Sequence, residues 1–515
     1  MSDNQSNNKR IARNTTFLYI RMFVALIINL FTARVLLNAL GVDDYGIYNV
    51  VAGFVSLFGF LNATLSSSVQ RFYNYEGTQK GAEGFQNIYV TALLTHATIA
   101  AIIFVLLETF GVWYVNSIMV VSNGRLFAAN ILFQTSTLSM ILMMMQIPYS
   151  GAVMAKEHMD FFAIISITDV VLKLIIALVV AYAEYDNLII YAILLAIVSI
   201  LDIIAYIWYC KKHFLEMKLR RYFDRVVFKN MLAFSGWNLI GTFAFMLKGQ
   251  GVNMLLNFFF GPVINAARGI AYQVNGAIGG FSGNIYTAFG PQLVQSYARG
   301  DYSRTQRIMF TESKVCFSLI ALLTIPVIFE IEILLHIWLG EAVPEHTSLF
   351  AILVLIDSLV CTLNTPCTQV VQATGKIKYF QIGSAVVNLC LIPFCWILLS
   401  LGMTAESAFI AVIIFSCINQ AVCLFLVNRQ FNVGMKSYFE HIVIRCLLLV
   451  LLAPIVPILI HNIMPESYTR LILLFCTSVA YTSFIIYLCM FDKQERYFIN
   501  NIVKTKFFRI KNVED

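Results

Sequence analysis

About fourteen apolar stretches, each long enough to cross a bilayer, follow one another along the 515 residues. A spanning helix needs roughly 20 predominantly apolar residues. Backbone N–H and C=O groups have no water partner in hydrocarbon, so such stretches must close their own hydrogen bonds as helices. The expected spans are 14–37, 45–69, 86–110, 125–149, 161–183, 188–210, 230–259, 265–296, 307–329, 346–370, 381–401, 406–427, 441–463 and 468–490. The chain is 59% hydrophobic and 12% charged, whereas soluble domains carry about a quarter charged residues. The short connections leave no stretch for a soluble catalytic domain. The reading is an all-α integral membrane protein. Its polar, basic opening, MSDNQSNNKRIARN, runs into a span of about 24 residues without a small-residue cleavage site nearby. An uncleaved first helix is therefore expected rather than a signal peptide.

The charges between the spans are sorted. One set of alternate loops carries Arg71 and Lys80, Lys156, the block from Lys211 to Lys229, then Arg299, Arg304, Arg307 and Lys314. The same set continues with Lys376 and Lys378, Arg429 and Lys436, and ends in a basic tail. The other set holds Asp43, Asp44, Glu184, Asp186, Glu341 and Glu345, with only Arg125 and Arg470 near its edges. Lys and Arg are retained on the cytoplasmic side, so both termini are expected there. Apposition of these loops to anionic membrane lipid accounts for the net charge of +7 without a nucleic-acid partner.

Two short matches suggest an internal repeat. PYSGAVMAKEHMDFF from Pro148 aligns with PCTQVVQATGKIKYF from Pro366, pairing Ala155 with Ala373 and Phe162 with Phe380. Val69-Gln70 and Tyr73 pair with Val294-Gln295 and Tyr297 at nearly the same offset. The expected organisation is two six-helix lobes, 1–210 and 230–427, joined by a basic linker at 211–229. Two further helices follow over 428–490, then a cytoplasmic tail at 491–515. Both lobes would start on the same side, related by an axis along the membrane normal.

Six cations are singled out within the expected spans: Arg21, Arg34, Lys173, Lys248, Arg268 and Arg445. Each costs roughly 2.5–3.5 kcal/mol at a helix centre, so it needs a polar cavity or a partner. The acids recognised at depth are Asp169, Asp202 and Asp357, read as counter-charges or as coupling groups. Asp169 and Lys173 are four apart on one helix face, which allows local neutralisation. Arg445, near an inner helix end, is expected to snorkel to headgroups. The other five are candidates for an anion-binding cavity. Arg21 and Arg34 point to different faces at a helical step of about 100°.

Lys248 opens Lys248-Gly249-Gln250-Gly251, where two glycines permit either a hinge beside the lysine or close helix packing. Gly276, Gly279, Gly280 and Gly283 have small-xxx-small spacing and are read as a packing face. Around them lie Trp237, Asn238, Asn253, Asn257, Tyr272, Gln273, Asn275, Asn284 and Tyr286. Stacking rings with amides suit sugars, and interhelical hydrogen bonding is the plainer reading for any single residue. No GxSxG, Walker loop or HExxH is present, and no enzymatic activity or cofactor is expected. His96 and His336 have no carboxylate at ligand spacing, and the eleven cysteines form no CxxC. No metal site is expected.

Arg13-Asn14-Thr15 leading into an apolar helix, then Leu40-Gly41-Val42-Asp43-Asp44-Tyr45-Gly46-Ile47-Tyr48, resembles the start of O-antigen-type polysaccharide flippases. These belong to the wider exporter superfamily that includes the MATE drug exporters and the lipid II flippase. The resemblance implies alternating access between two lobes. The cargo would be a polyprenyl-pyrophosphate-linked oligosaccharide, carried between leaflets of a bacterial cytoplasmic membrane for surface polysaccharide biosynthesis. It also implies a cationic cavity, with Arg21, Lys248 and Arg268 in the corresponding helices. Na⁺ or H⁺ as coupling ion and a polysaccharide polymerase as partner come with it. The competing reading is a MATE-like multidrug exporter, whose cavity would use buried acids. A glycan polymerase or ligase would be expected to present a large basic outer loop, and EIEILLHIWLGEAVPE is short and acidic.

Overall fold

A computed structural model describes residues 2–156, 158–218, 224–492 and 495–496. Within these, the side chains of 2–22, 63–64, 67–68, 71, 74–80, 226–227, 230–235, 237–238, 284, 287–288, 291 and 298 fall outside the description. The described chain is helical, without a strand. It runs through α1 (Ser2–Ser56), α2 (Gly59–Leu106), α3 (Val112–Ser117), α4 (Leu126–Ala155), α5 (Met159–Ala181) and α6 (Asn187–His213). Next come α7 (Arg225–Phe260), α8 (Pro262–Ala298), α9 (Tyr302–Phe329), α10 (Ile331–Leu339), α11 (Thr347–Cys361) and α12 (Asn364–Thr374). The last are α13 (Lys378–Ser400), α14 (Ala405–Phe431), α15 (Met435–Tyr438), α16 (Ile444–Leu452), α17 (Ile455–Ile463) and α18 (Tyr468–Cys489).

Twelve helices among the described residues are long and apolar enough to cross a membrane. Two departures separate this from the fourteen expected. α1 holds the first expected span and the start of the second, two helices that meet in a kink at Gly41 (φ 75, ψ 171) without an intervening loop, and the second span runs on past Ser56 into α2. The segment over 265–296 folds as α8, but its asparagines, glutamine and glycines dilute its apolar character. The expected inner loop at 70–80 is likewise helical and ends in a kink at Gly81 (φ 59). Only glycine enters these left-handed conformations without steric cost.

The chain forms two compact units. The first comprises 1–270, 338–347 and 384–411. Its core packs α2, α4 and α6 through Val69, Tyr73, Ile88, Tyr149, Val153 and Tyr206. Lipid tails are as apolar as leucine, so close packing and hydrogen bonds must hold such helices together. Tyr73 Oη accordingly donates to the Pro148 carbonyl at 3.1 Å, and the Tyr89 and Tyr149 hydroxyls meet at 3.2 Å. At one end of the unit, Arg125 ties three elements. Its Nε donates to Asp44 Oδ1 at 2.7 Å, its Nη2 donates to Asp186 Oδ1 at 2.9 Å, and Nη1 reaches Asp186 Oδ2. Asp186 is also the N-cap of α6, accepting from the Leu188 and Ile189 amides.

The second unit comprises 271–337, 348–383 and 412–515. Its core is built on α9, with Met309, Phe317, Ile320 and Ile325 against Val370, Val427, Tyr438 and Leu449. Glu330, fully buried, receives Arg470 Nη2 at 2.8 Å. Midway along α9, Lys314, only 2% exposed, donates to Asp492 at 2.9 Å and Glu495 at 2.9 Å. Arg445, expected to snorkel, instead donates to the Met490 carbonyl and to Asp492. An acidic elbow after α18 thus closes over two cations of α9 and α16.

The Asp186 carboxyl is held below its usual range by the Arg125 hydrogen bonds. A depressed carboxylate stabilises the fold above its unfolded pKa, and that contribution is lost as pH falls through the folded value. Arg125→Met is expected to destabilise the detergent-solubilised protein at neutral pH by about 2 kcal/mol. Thermal unfolding across pH should show the gap to wild type narrowing below about pH 4. A gap independent of pH would contradict this assignment.

Candidate functional site

The expected cations do not gather at one point. The Arg21 side chain lies outside the described residues. Arg34 is exposed on α1, beside the 338–347 segment, where Trp338 Nε1 donates to the Leu30 carbonyl at 2.7 Å. Its Nη2 lies 3.9 Å from the position a Cβ would take at Gly340. Lys173 donates to Asp169 at 2.8 Å, so this charge is neutralised on its own helix as the spacing allowed. Asp202 on α6 lies beside Asp169. Asp357 lies in the second unit, contacted by the Cys361 thiol at 3.7 Å.

Lys248 and Arg268 lie on consecutive helices, α7 and α8. Both are buried, at 7% and 6% exposure. Arg268 Nη2 donates to the carbonyl of Gly249, the residue after Lys248, at 2.7 Å. α7 stays helical through Lys248-Gly249-Gln250-Gly251, and neither glycine has a positive φ. Gly251 serves close packing, since a Cβ there would sit 2.9 Å from Ile392. The reversal from α7 into α8 falls at Gly261 (φ 81).

Amides hold this hairpin against α1. Asn253 Nδ2 donates to the Asn49 carbonyl at 3.2 Å. Asn265 Nδ2 donates to the Asn253 carbonyl and side-chain oxygen, each at 2.8 Å. Asn257 exchanges hydrogen bonds with the backbone of Val120 at 2.9 and 3.1 Å. Asn253 and Asn257 thus have the interhelical role that the plainer reading gave them. In the second unit, Tyr286 Oη donates to the Thr362 carbonyl at 3.1 Å. The side chains of Trp237, Asn238 and Asn284 lie outside the described residues.

Glycines set the approach of α1 to the hairpin. A Cβ at Gly46 would fall 1.9 Å from the Pro262 carbonyl oxygen, and one at Gly269 would fall 2.5 Å from Asn49 Oδ1. The Tyr45-Gly46 step of the opening motif is where α1 meets the α7–α8 turn. By contrast, a Cβ at Gly276, Gly279, Gly280 or Gly283 meets nothing within 4 Å. Their expected role as a packing face is not borne out among the described residues. Small size alone allows close approach, and a partner helix has to use it.

The hairpin thus carries two buried cations, one on each helix. Arg offers a planar fork for phosphate oxygens and Lys a compact point charge. No family model matches the chain, and no curated protein is matched by its sequence. Solved structures do match. The lipid II flippase MurJ in an inward closed conformation aligns with a TM-score of 0.67 at 15% identity, covering 92% of this chain and 99% of that one. An inward-facing multidrug resistance MATE transporter of the MOP superfamily aligns at 0.65 and 12% identity, over 82% and 99%. The MATE multidrug transporter DinF-BH aligns at 0.62 and 16% identity, over 82% and 96%. The chain has the fold of these solved structures.

Gly46→Ala is expected to lose folded protein on size-exclusion chromatography, because a backbone oxygen cannot yield to the added methyl. Gly276→Ala should be silent in the same assay. Equal yields from both variants would contradict the packing described here.

Proposed function

We propose that this chain is a flippase of the bacterial cytoplasmic membrane. It carries a polyprenyl-pyrophosphate-linked oligosaccharide from the inner to the outer leaflet by alternating access, for surface polysaccharide biosynthesis. Both termini are cytoplasmic, as the loop charges require. The observation that carries this reading is the Arg268–Gly249 contact, which sets two buried cations within one hairpin. A diphosphate entering a medium of low dielectric needs such partners. Arg34, Arg21 and Lys173 are secondary contributors, and Lys173 is already neutralised by Asp169. Asp169, Asp202 and Asp357 are the expected counter-charges, with Na⁺ or H⁺ as the coupling ion.

The extent of the structural likeness favours a flippase over a drug exporter. The lipid II flippase covers 92% of this chain, and the two MATE structures cover 82%. A cavity for cationic drugs would also place acids, not Lys248 and Arg268, on the α7–α8 hairpin.

Titration of the purified protein with polyprenyl pyrophosphate, followed by native mass spectrometry, tests the cation pair. Lys248→Gln and Arg268→Gln are each expected to weaken binding about tenfold, equivalent to about 1.4 kcal/mol. Polyprenol without the diphosphate should bind wild type and variants alike. Undiminished diphosphate binding by the double variant would overturn the assignment. Tighter binding of a cationic dye by that variant would favour the exporter.

A further inference from the structure

A fully buried carboxylate of the second unit, Glu312, has no role in the arrangement described above. It lies on α9, at 0% exposure. In the sequence it escapes notice, because neighbouring Lys314 reads as a loop charge. Gln369 of α12 lies against it, and one N–H of the Gln369 amide donates to the Tyr286 carbonyl at 3.1 Å. Glu312 Oε1, Glu312 Oε2 and Gln369 Oε1 are all buried, and none has an aligned donor among the described residues.

No cation among the described residues offsets the carboxylate. Lys314, two positions on, projects about 200° around the helix and is held by Asp492 and Glu495. The titratable groups facing Glu312 are neutral ones: Cys316 on its own helix and Cys367 on α12. Tyr286 lies beside Cys316, and Tyr438 beside the adjacent Ser313. Among the described residues there is no grouping of three His, Cys, Asp or Glu that could hold a metal ion.

An ionised carboxylate so enclosed would carry a desolvation penalty of several kcal/mol with nothing to offset it. A single proton removes both faults. It neutralises the charge, and it supplies the donor that the Glu312–Gln369 pair lacks. We propose that Glu312 is a proton-binding site buried in the second unit, with Gln369 as its hydrogen-bond partner. Releasing the proton leaves a carboxylate that must be hydrated, so the charged form requires the seam between α9 and α12 to open to water. The site thereby couples proton occupancy to the closure of this seam. It does so whatever cargo the protein carries.

Infrared difference spectroscopy of the protein in nanodiscs reads the proton directly. Wild type at neutral pH should show the carbonyl stretch of a protonated carboxylic acid, and isosteric Glu312→Gln should lack it. Gln369→Leu, which removes the partner, should keep the band and move it toward a free acid. Hydrogen exchange over α12, corrected for intrinsic rates, should rise with pH in wild type and stay flat in Glu312→Gln. An unchanged band in Glu312→Gln would overturn the proposal. So would loss of the wild-type band on adding Na⁺ at constant pH, which would make the group a metal-ion ligand. Exchange independent of pH in wild type would refute the opening of the seam. None of these readouts involves the cargo, so failure here leaves the flippase reading to its own test.

Discussion

Hydrocarbon offers no partner to a charge, and the architecture follows from that constraint. A charged group among these helices must reach water, meet an opposite charge or bind a proton. In the first unit, Arg125 meets Asp44 and Asp186, and Lys173 meets Asp169. In the second, Arg470 meets Glu330, while Lys314 and Arg445 meet the acidic elbow after α18. Most of these pairs lie at helix ends, where they fix which helices adjoin. The apolar surface between them need only fit.

The same constraint gives the α7–α8 hairpin its meaning. Its asparagines use their hydrogen-bonding capacity on backbone and on one another. Gly46 and Gly269 let α1 approach closely enough for those bonds to form. The result is a stiff platform carrying Lys248 and Arg268. For the proposed diphosphate cargo, such a mount would lower the reorganisation needed on binding. Glu312 is the complementary case: with no cation beside it among the described residues, neutrality by protonation is the consistent state.

Local patterns were legible in the sequence, and distant pairings were not. Apolar length revealed nearly every spanning helix, and the four-residue spacing of Asp169 and Lys173 foretold their contact. The Tyr45-Gly46 step of the opening motif proved to be a point of close approach. Lys314 was grouped with the loop charges although the expected span 307–329 contains it, and its partners, Asp492 and Glu495, lie 178 and 181 positions away. Glu330 and Arg470 are 140 apart, and no local rule joins them. Glu312 was hidden for a related reason: Thr311, Ser313 and Lys314 around it read as the polar start of a helix. The glycine stripe of α8 misled in the opposite sense, since spacing implies a contact only when a partner fills it.

Translocation in reconstituted vesicles tests the central claim most directly, because it reads cargo and site together. Vesicles holding wild-type protein should move a fluorescent polyprenyl-pyrophosphate-linked oligosaccharide to the opposite leaflet. Those holding the Lys248→Gln, Arg268→Gln double variant at equal density should fall to the protein-free rate. Translocation by the double variant at the wild-type rate would contradict the account, as would wild-type transport of a cationic dye without movement of the lipid-linked glycan.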